Sequence, residues 1–225
     1  RKSISRDLLF IIRKIDPKKV DEYSQKFNVD PLIARLLLMK NIGEGDELRV
    51  ESFINPDPSL IRFYETLAEP QELKKAIERV LKAIKNQEKM LINGDPDADG
   101  ISGTSILVAG IRRLGGIVSY DFPARAREGH GLQPRIIDEA KAKGVSLIIT
   151  ADCGTKDITA SKYAKERGLD VIITDHHIIG RKRPDVTAFI NPQVIKGAKS
   201  LRRLSGSGVC FKFVVALFDH KKRDI

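Results

Sequence analysis

The sequence is poor in cysteine: it contains only Cys153 and Cys210, and it has no tryptophan. Two cysteines this far apart form neither a zinc-binding pair nor a disulfide framework, so we expect a reducing compartment and a cytoplasmic location. No apolar run reaches the roughly 18 residues of a membrane-spanning helix, and charge interrupts the apolar stretch near the start too early for a signal peptide. We therefore expect no membrane partner. The chain does not begin with Met, which is expected of a piece cut from a longer protein.

Glycine-rich nucleotide-binding loops are also missing. No P-loop of the form G-x-x-x-x-G-K-[ST] occurs, and the pair Gly129 and Gly131 lacks the third glycine of a dinucleotide-binding loop because Pro134 stands there. The chain does contain enough apolar material for a core, since 41% of its residues are hydrophobic. Its 40 Lys and Arg against 30 Asp and Glu give a formal net charge of +10. This excess favours a polyanionic partner without identifying one.

The hydrophobic pattern divides the chain into two regions. Residues 1–87 carry helix-start signals such as Asp16-Pro17 and Asp30-Pro31, and we interpret them as a helical lead-in. In residues 88–225 short apolar runs alternate with amphipathic segments. The predicted strands are 89–94, 116–122, 146–151, 170–174 and 186–190, and the predicted helices are 101–114, 134–143, 156–167 and 208–219. This alternation predicts an α/β domain with a mainly parallel sheet flanked by helices.

Three of the predicted strands run into acidic residues. The first leads into Asp95-Pro96-Asp97-Ala98-Asp99-Gly100, the third into Asp152-Cys153-Gly154, and the fourth into Asp175-His176-His177. The carboxyl ends of parallel strands share one edge of the sheet, so these acids should converge. Like charges about 4 Å apart repel by roughly 4 kcal/mol at an effective dielectric constant of about 20, which cations would relieve. Carboxylates with imidazole suit Mn²⁺ or Mg²⁺, and a pair of such ions is an arrangement that hydrolyses phosphoesters.

Other interpretations of these residues stay open at this point. The segment Asp95 to Gly100 matches the first half of a calcium-binding hand, but its twelfth position is Ile106 instead of Glu. Asp152 taken alone suits a helix cap, and His176 and His177 suit an ordinary loop. Cys153 beside Asp152 invites a nucleophile, although a small buried residue fits better because no Cys-His-Asn pattern accompanies it.

Together these motifs resemble those of the DHH phosphoesterase family, and within it the single-strand-specific DNA exonucleases. The three acidic motifs stand in family order and spacing. The resemblance continues through Phe122 to Arg125, Glu128 to Leu132, Asn191-Pro192 and Leu204 to Val209, and it includes the lead-in, so that it covers nearly the whole chain. It implies a 5′-to-3′ exonuclease of DNA repair and recombination that uses two ions of Mn²⁺ or Mg²⁺. Single-stranded DNA, and repair or replication proteins, are the implied partners.

The resemblance also implies roles for single residues. The implied metal ligands are Asp95, Asp97, Asp99, Asp152, Asp175 and His176. The implied catalytic residues are Asp152, which would bridge the ions, His176 and His177. The implied substrate contacts are Arg125, His130, Gly206, Ser207 and Gly208. An exposed arginine on a solvated turn is the alternative for Arg125, and the role of His130 is open because the family more often has Tyr there.

The sequence departs from the family near its end. The resemblance implies a fourth motif with a further ligand Asp and then a second domain, whereas this chain stops at Ile225. We therefore expect the 88–225 domain to be incomplete at its carboxyl end. Two other functions stay open: hydrolysis of short oligonucleotides or cyclic dinucleotides, and a non-catalytic DNA-binding scaffold.

Overall fold

A computed structural model of the chain describes residues 14–42, 47–56, 67–195 and 201–223. Backbone contacts divide the chain into two compact units, residues 1–60 and 61–225. The first unit contains helices α1 (Pro17–Phe27), α2 (Pro31–Met39) and α3 (Glu47–Ile54). The carboxylates of Asp16 and Asp30 accept backbone N–H groups at the starts of α1 and α2, and a proline follows each cap. The helix starts predicted from these Asp-Pro pairs are therefore confirmed.

The second unit is built on a five-stranded sheet in which every pair of neighbouring strands is parallel. Its strands are β1 (Lys89–Gly94), β2 (Ile117–Asp121), β3 (Val145–Ala151), β4 (Asp170–Thr174) and β5 (Ala188–Ile190). The strand order is β2-β1-β3-β4-β5. The prediction of an α/β domain with a mainly parallel sheet is therefore confirmed. The pattern predicts this fold because amphipathic helices that alternate with apolar strands can bury both faces of a sheet.

Helices cover both faces of this sheet. They are α4 (Pro70–Lys85), α5 (Ala98–Arg113), α7 (Pro134–Ala142), α8 (Ile158–Glu166) and α9 (Gly206–Arg223), and a short helix, α6 (Arg125–Glu128), follows β2. On one face Ile92 and Ile149 pack in a core with α4, α5 and α9. On the other face Leu91 and Ile148 pack with α7 and α8. None of the described helices has both the length and the hydrophobicity to cross a bilayer.

Two boundaries in the structure differ from those that the sequence pattern predicts. Helix α4 lies in the second unit, where Val80 and Ile84 share the core with Met90, and a division at residues 87 and 88 stays a prediction. The pattern predicts helix α5 from residue 101, but the helix begins at Ala98, because the Asp97 carboxylate accepts the N–H groups that follow it. The acidic segment after β1 is therefore partly helical.

The strand order reverses direction between β1 and β3. The chain passes from β1 outward to β2 on one side and then returns to place β3, β4 and β5 on the other. The loops that leave the carboxyl ends of β1 and β3 consequently diverge and open a crevice between them. This crevice is where an open parallel sheet binds ligands, and the acids after β1 and β3 stand at it.

Candidate active site

Acidic side chains from different strands meet at this crevice. Asp95 and Asp97 follow β1 and Asp152 follows β3, and all three line a cavity of about 430 Å³. Ligand-capable oxygen atoms of these three residues lie within 4.8 Å of one another, and a second such group joins Asp152 to His176 and His177. Asp152 belongs to both groups, so its carboxylate would be shared if each group held an ion.

The backbone at Asp152 is unusual. Its φ angle is +62°, in the left-handed region that costs most side chains free energy and that Asp tolerates better than most. Its N–H donates to the carbonyl oxygen of Thr174 at 3.0 Å, which fixes the turn. The side chain is buried, and among the described residues none hydrogen-bonds to its Oδ1. Burial, reinforced by the charges of Asp99 and Asp175, raises the pKa of Asp152 to about 7.

The imidazole of His176 is oriented by a backbone carbonyl. Its Nδ1 lies 2.8 Å from the carbonyl oxygen of Leu204, and because a carbonyl only accepts, Nδ1 carries a proton. Nε2 then lies 3.1 Å from Oδ1 of Asp152 and 3.8 Å from Oδ2 of Asp99. In a neutral ring the lone pair of Nε2 would face the Asp152 carboxylate, and these two electron-rich groups would repel each other. A proton or a cation between Nε2 and Oδ1 would remove this repulsion.

Asp175 organises the segment that it begins. Its Oδ1 accepts the backbone N–H of His176 at 2.7 Å and of His177 at 3.2 Å, and it also contacts Nδ1 of His177 at 2.7 Å. Its Oδ2 accepts the N–H of Thr155 at 3.0 Å. Although burial opposes ionisation, the hydrogen bonds from His177 and Thr155 lower the pKa of Asp175 below its ordinary value. The hydrogen bond to Asp175 raises the pKa of His177 to about 8.

Asp99 is held by the first residues of α9. The N–H groups of Gly206 and Ser207 donate to its two carboxylate oxygens at 2.8 and 2.7 Å. Burial opposes ionisation, but hydrogen bonds from the Ser207 side chain and from these two N–H groups lower the pKa of Asp99 below its ordinary value. A Cβ on Gly206 would lie 2.2 Å from Oδ1 of Asp152, so only glycine lets α9 approach this closely. Asp99 stands in neither ligand group, and its direct ligation of metal stays a prediction.

The structure describes some of the predicted substrate contacts and leaves others outside the described residues. The side chain of Arg125, the first residue of α6, lies outside the described part of the structure, so its phosphate contact stays a prediction. Nδ1 of His130 lies 3.2 Å from Oδ1 of Asp95, and its ring is 60% exposed at the cavity. The N–H of Gly208 donates to the Ser205 hydroxyl at 3.1 Å. Substrate contacts by Gly206, Ser207 and Gly208 stay predictions as well.

Comparison with known proteins identifies the family. A sequence profile of the DHH family, N-terminal domain, matches residues 89–225, which is more than half of the chain. The chain belongs to the DHH family. The resemblance inferred from its motifs is thereby confirmed.

Relatives and solved structures agree with this assignment. The chain is 36% identical over 206 residues to the single-stranded-DNA-specific exonuclease RecJ of Bacillus subtilis, covering 92% of this chain and 26% of that protein. It resembles a crystal structure of RecJ bound to manganese with a TM-score of 0.62 at 31% identity, covering 67% of this chain and 38% of that one. A Mn²⁺ complex of RecJ from Thermus thermophilus gives a TM-score of 0.65 at 25% identity, covering 91% and 28%. The chain thus spans about a quarter to a third of the curated relatives that it matches.

The residues at the DHH crevice fit a hard divalent cation. The two ligand groups supply carboxylate oxygens and imidazole nitrogens, which suit Mn²⁺ and Mg²⁺. The buried Oδ1 of Asp152 has no hydrogen-bond donor among the described residues, and Nε2 of His176 faces it. Burial raises the pKa of Cys153 well above its ordinary value. The thiol therefore stays protonated, which agrees with a packing role and not with a ligand or a nucleophile.

Sequence reasoning assigned no role to the residues that hold the two histidines in place, and it named Asn191 only as part of the family resemblance. Asn191 is fully buried after β5, and its Nδ2 donates to Oγ1 of Thr155 at 2.9 Å and to the carbonyl oxygen of His177 at 3.0 Å. Nε2 of Gln193 donates to the carbonyl oxygen of His176 at 3.1 Å. The available signal was a polar residue directly after the fifth apolar strand, at the same edge of the sheet as the acids.

Asp157 was also missed. It precedes α8, but its side chain does not cap that helix. Its Oδ2 accepts the N–H of Leu132 at 2.6 Å, and a Cβ on Gly131 would lie 2.3 Å from the same oxygen. Asp157 therefore holds the loop that carries His130 against the cavity.

Proposed function

We propose that this chain supplies the catalytic metal centre of a single-strand-specific DNA exonuclease that hydrolyses phosphodiester bonds in the 5′-to-3′ direction. The observation that carries the proposal is the joint presence of two ligand-capable groups that share Asp152. The similarity to the RecJ exonucleases supports single-stranded DNA as the substrate. The 5′-to-3′ direction is the one that the family resemblance of the motifs implies.

The proposed ligands are those of the three acidic motifs. Asp95, Asp97 and Asp152 would hold one ion, and Asp152 with His176 would hold the second, while Asp99 and Asp175 contribute ligand atoms or orient the others. When bound, two ions of Mn²⁺ or Mg²⁺ activate a water molecule and neutralise charge that develops on the phosphate. A fixed His176 ring and a rigid turn at Asp152 support such a site, because ligands that are already oriented bind metal more tightly.

Other residues of the chain would handle the phosphate. His177 is anchored through Nδ1 to Asp175 and is about half exposed at the cavity. We assign its outer edge to a contact with a phosphate oxygen of the substrate. His130 and Arg125 complete the proposed set, together with the α9 start at Gly206, Ser207 and Gly208. An arginine fork suits a phosphate because it donates two parallel hydrogen bonds.

The biological setting follows from the same proposal. Two buried thiols, Cys153 and Cys210, support a reducing compartment such as the cytoplasm. The +10 charge supports a polyanionic partner. DNA repair or replication proteins are the proposed protein partners.

The test uses the native full-length gene product that contains this chain, with and without Mn²⁺. Single strands labelled at the 5′ or the 3′ end should release mononucleotides from the 5′ end, and duplex DNA should resist. Asp152→Ala should abolish release, whereas Asp185→Asn, a change on an exposed carboxylate, should not. No Mn²⁺-dependent release from any strand would overturn the proposal. Preferential cleavage of two- to five-residue oligomers or of cyclic dinucleotides would replace it with the short-substrate alternative.

A further inference from the structure

A second cleft continues the active-site cavity on the side of α8. Its volume is about 450 Å³, similar to that of the first and within the range of small-molecule sites. Three residues line both cavities: His130, Lys156 and Asp157. A ligand can therefore extend from the acidic residues into the second cleft without leaving the protein surface.

The second cleft differs from the first in its chemistry. The first cavity is lined by carboxylates, whereas the second has apolar surface from Pro134 and Ile158 and an aromatic ring from Tyr163. Ile158 is 43% exposed there. An apolar surface of this kind is unfavourable in water and suits the flat face of a nucleobase.

The far wall of the cleft is held in position. The Tyr163 hydroxyl donates to Oδ1 of Asp138 at 2.9 Å and accepts from both Nε and an NH₂ group of Arg167. The guanidinium of Arg167 also lies 5.0 Å from the centre of the Tyr163 ring, a cation–π distance. A ring fixed in this way loses little conformational entropy when a ligand packs against it.

Lys156 stands where the two cavities join. Its side chain is exposed, and it forms no ion pair with any residue of the described ranges. A cation at this junction would offset the negative charge of the adjacent acids as a phosphate group approaches. Lysine contacts phosphate as a point charge, without the geometric demands of an arginine fork.

We propose that the second cleft is the nucleoside subsite of this enzyme. It binds the base and sugar of the nucleotide whose phosphate lies at the acidic residues, with Lys156 on that phosphate and Ile158 and Tyr163 against the base. The ligand class is a nucleoside 5′-monophosphate unit, free or at the end of a strand. This assignment rests on the proposed function, since it takes the phosphate group to react at the first cavity.

The experiment measures equilibrium binding to this chain in Mn²⁺, with deoxyadenosine monophosphate, deoxyadenosine and inorganic phosphate as probes. The monophosphate should bind at least tenfold more tightly than inorganic phosphate. Lys156→Gln should weaken monophosphate binding at least fivefold with unchanged deoxyadenosine binding, and Ile158→Ser should weaken both. Lys162→Gln, on an exposed lysine of the same helix, is the matched control and should change neither.

Hydrogen exchange on the wild-type chain provides a readout that needs no variant. Saturating monophosphate should protect the amides of residues 158–163, which face the base, and inorganic phosphate should not. Equal affinity for monophosphate and phosphate, unchanged monophosphate affinity in both Lys156→Gln and Ile158→Ser, or absent protection would each overturn the subsite. These measurements involve no turnover. A failure of strand hydrolysis therefore counts against the proposed function, and a failure here counts against the subsite.

Discussion

Nε2 of His176 lies 3.1 Å from Oδ1 of Asp152, while Nδ1 of the same ring lies 2.8 Å from the carbonyl oxygen of Leu204. The carbonyl fixes the proton on Nδ1, so the ring turns its other nitrogen toward a buried carboxylate. Without a metal ion, a proton between Nε2 and Oδ1 would relieve the repulsion. In the proposed metal site the same two atoms would be ligands, and proton and metal would therefore compete for one position.

The first prediction concerns pH. Burial raises the pKa of Asp152 to about 7 from an ordinary value of 3.8, so the folded state binds this proton more tightly than the unfolded state does. The hydrogen bond to Asp175 likewise raises the pKa of His177 from 6.5 to about 8. Both raised pKa values mean that protonation stabilises the folded state relative to the unfolded state. The free energy of unfolding without metal should therefore fall as the pH rises from about 5 to about 8, which urea titrations at several pH values measure.

Added Mn²⁺ should reverse this trend, because its ligands must lose their protons to bind. Asp152→Asn cannot ionise and should remove the part of the decrease between about pH 5 and 7. An Asp152→Asn variant with the same pH dependence as the wild type would contradict the assignment of the shift to Asp152.

The second prediction concerns Gly206. In Gly206→Ala the new Cβ would lie 2.2 Å from Oδ1 of Asp152, so α9 or the carboxylate must move. We expect Mn²⁺ binding to weaken by about 10- to 100-fold, the range for groups that orient metal ligands. Gly208→Ala is the matched control, since its Cβ would meet only the side chains of Leu204 and Ser205, at 3.3 Å and beyond. Calorimetric titration of both variants tests the difference, and equal Mn²⁺ affinities would refute the steric argument.

The third prediction concerns Asn191. Asn191→Ala removes the two donors to Thr155 and His177 and the acceptor for the N–H of Gln193. We expect a loss of about 1–3 kcal/mol in the free energy of unfolding for unpaired buried groups. Mn²⁺ affinity should also fall about 10-fold or more, because the turn that carries the histidines loosens.

Gln193→Ala provides a graded comparison at a less buried position. It removes donors to the carbonyl oxygens of His176 and Arg202, and we expect a smaller loss of Mn²⁺ affinity than in Asn191→Ala. If Asn191→Ala lowered stability but left Mn²⁺ affinity unchanged, Asn191 would support the fold and not the site.

The fourth prediction separates stability from function at the opposite end of the sheet. Arg79 of α4 pairs with Glu88, which precedes β1, and with Asp170 of β4. Arg79→Met removes hydrogen bonds to both carboxylates and should lower the free energy of unfolding by roughly 1.5–3 kcal/mol. Lys74→Met, on an exposed lysine of the same helix, should change stability by less than about 0.5 kcal/mol.

Mn²⁺ affinity should not change in either variant once each is folded, because Arg79 lies near the amino ends of the strands and the acids lie at the carboxyl ends. Thermal unfolding and calorimetric titration measure the two quantities separately. A large loss of Mn²⁺ affinity in folded Arg79→Met would show coupling between the two ends that the hydrogen-bond pattern does not predict.

Much of the fold is predictable because strands and helices leave local patterns. The apolar run around Ile148 is continuous since β3 is buried on both faces, and the Asp-Pro pairs mark helix starts by their own hydrogen bonds. The predicted start of α5 is three residues late. Three aspartates at alternate positions are typical of a loop. In the structure, however, Asp97 caps the helix and Asp99 lies inside it.

The local sequence pattern is enough to predict the α/β fold and the edge of the sheet where Asp95, Asp152 and Asp175 gather, because strand ends are set by local pattern and parallel strands share an edge. The role of each acid depends on its contacts in the folded chain. Amides 107 and 108 residues away stabilise the ionised carboxylate of Asp99, whereas burial leaves Oδ1 of Asp152 facing His176. Burial and hydrogen bonding between distant segments are properties of the packed chain, so no local pattern reports them.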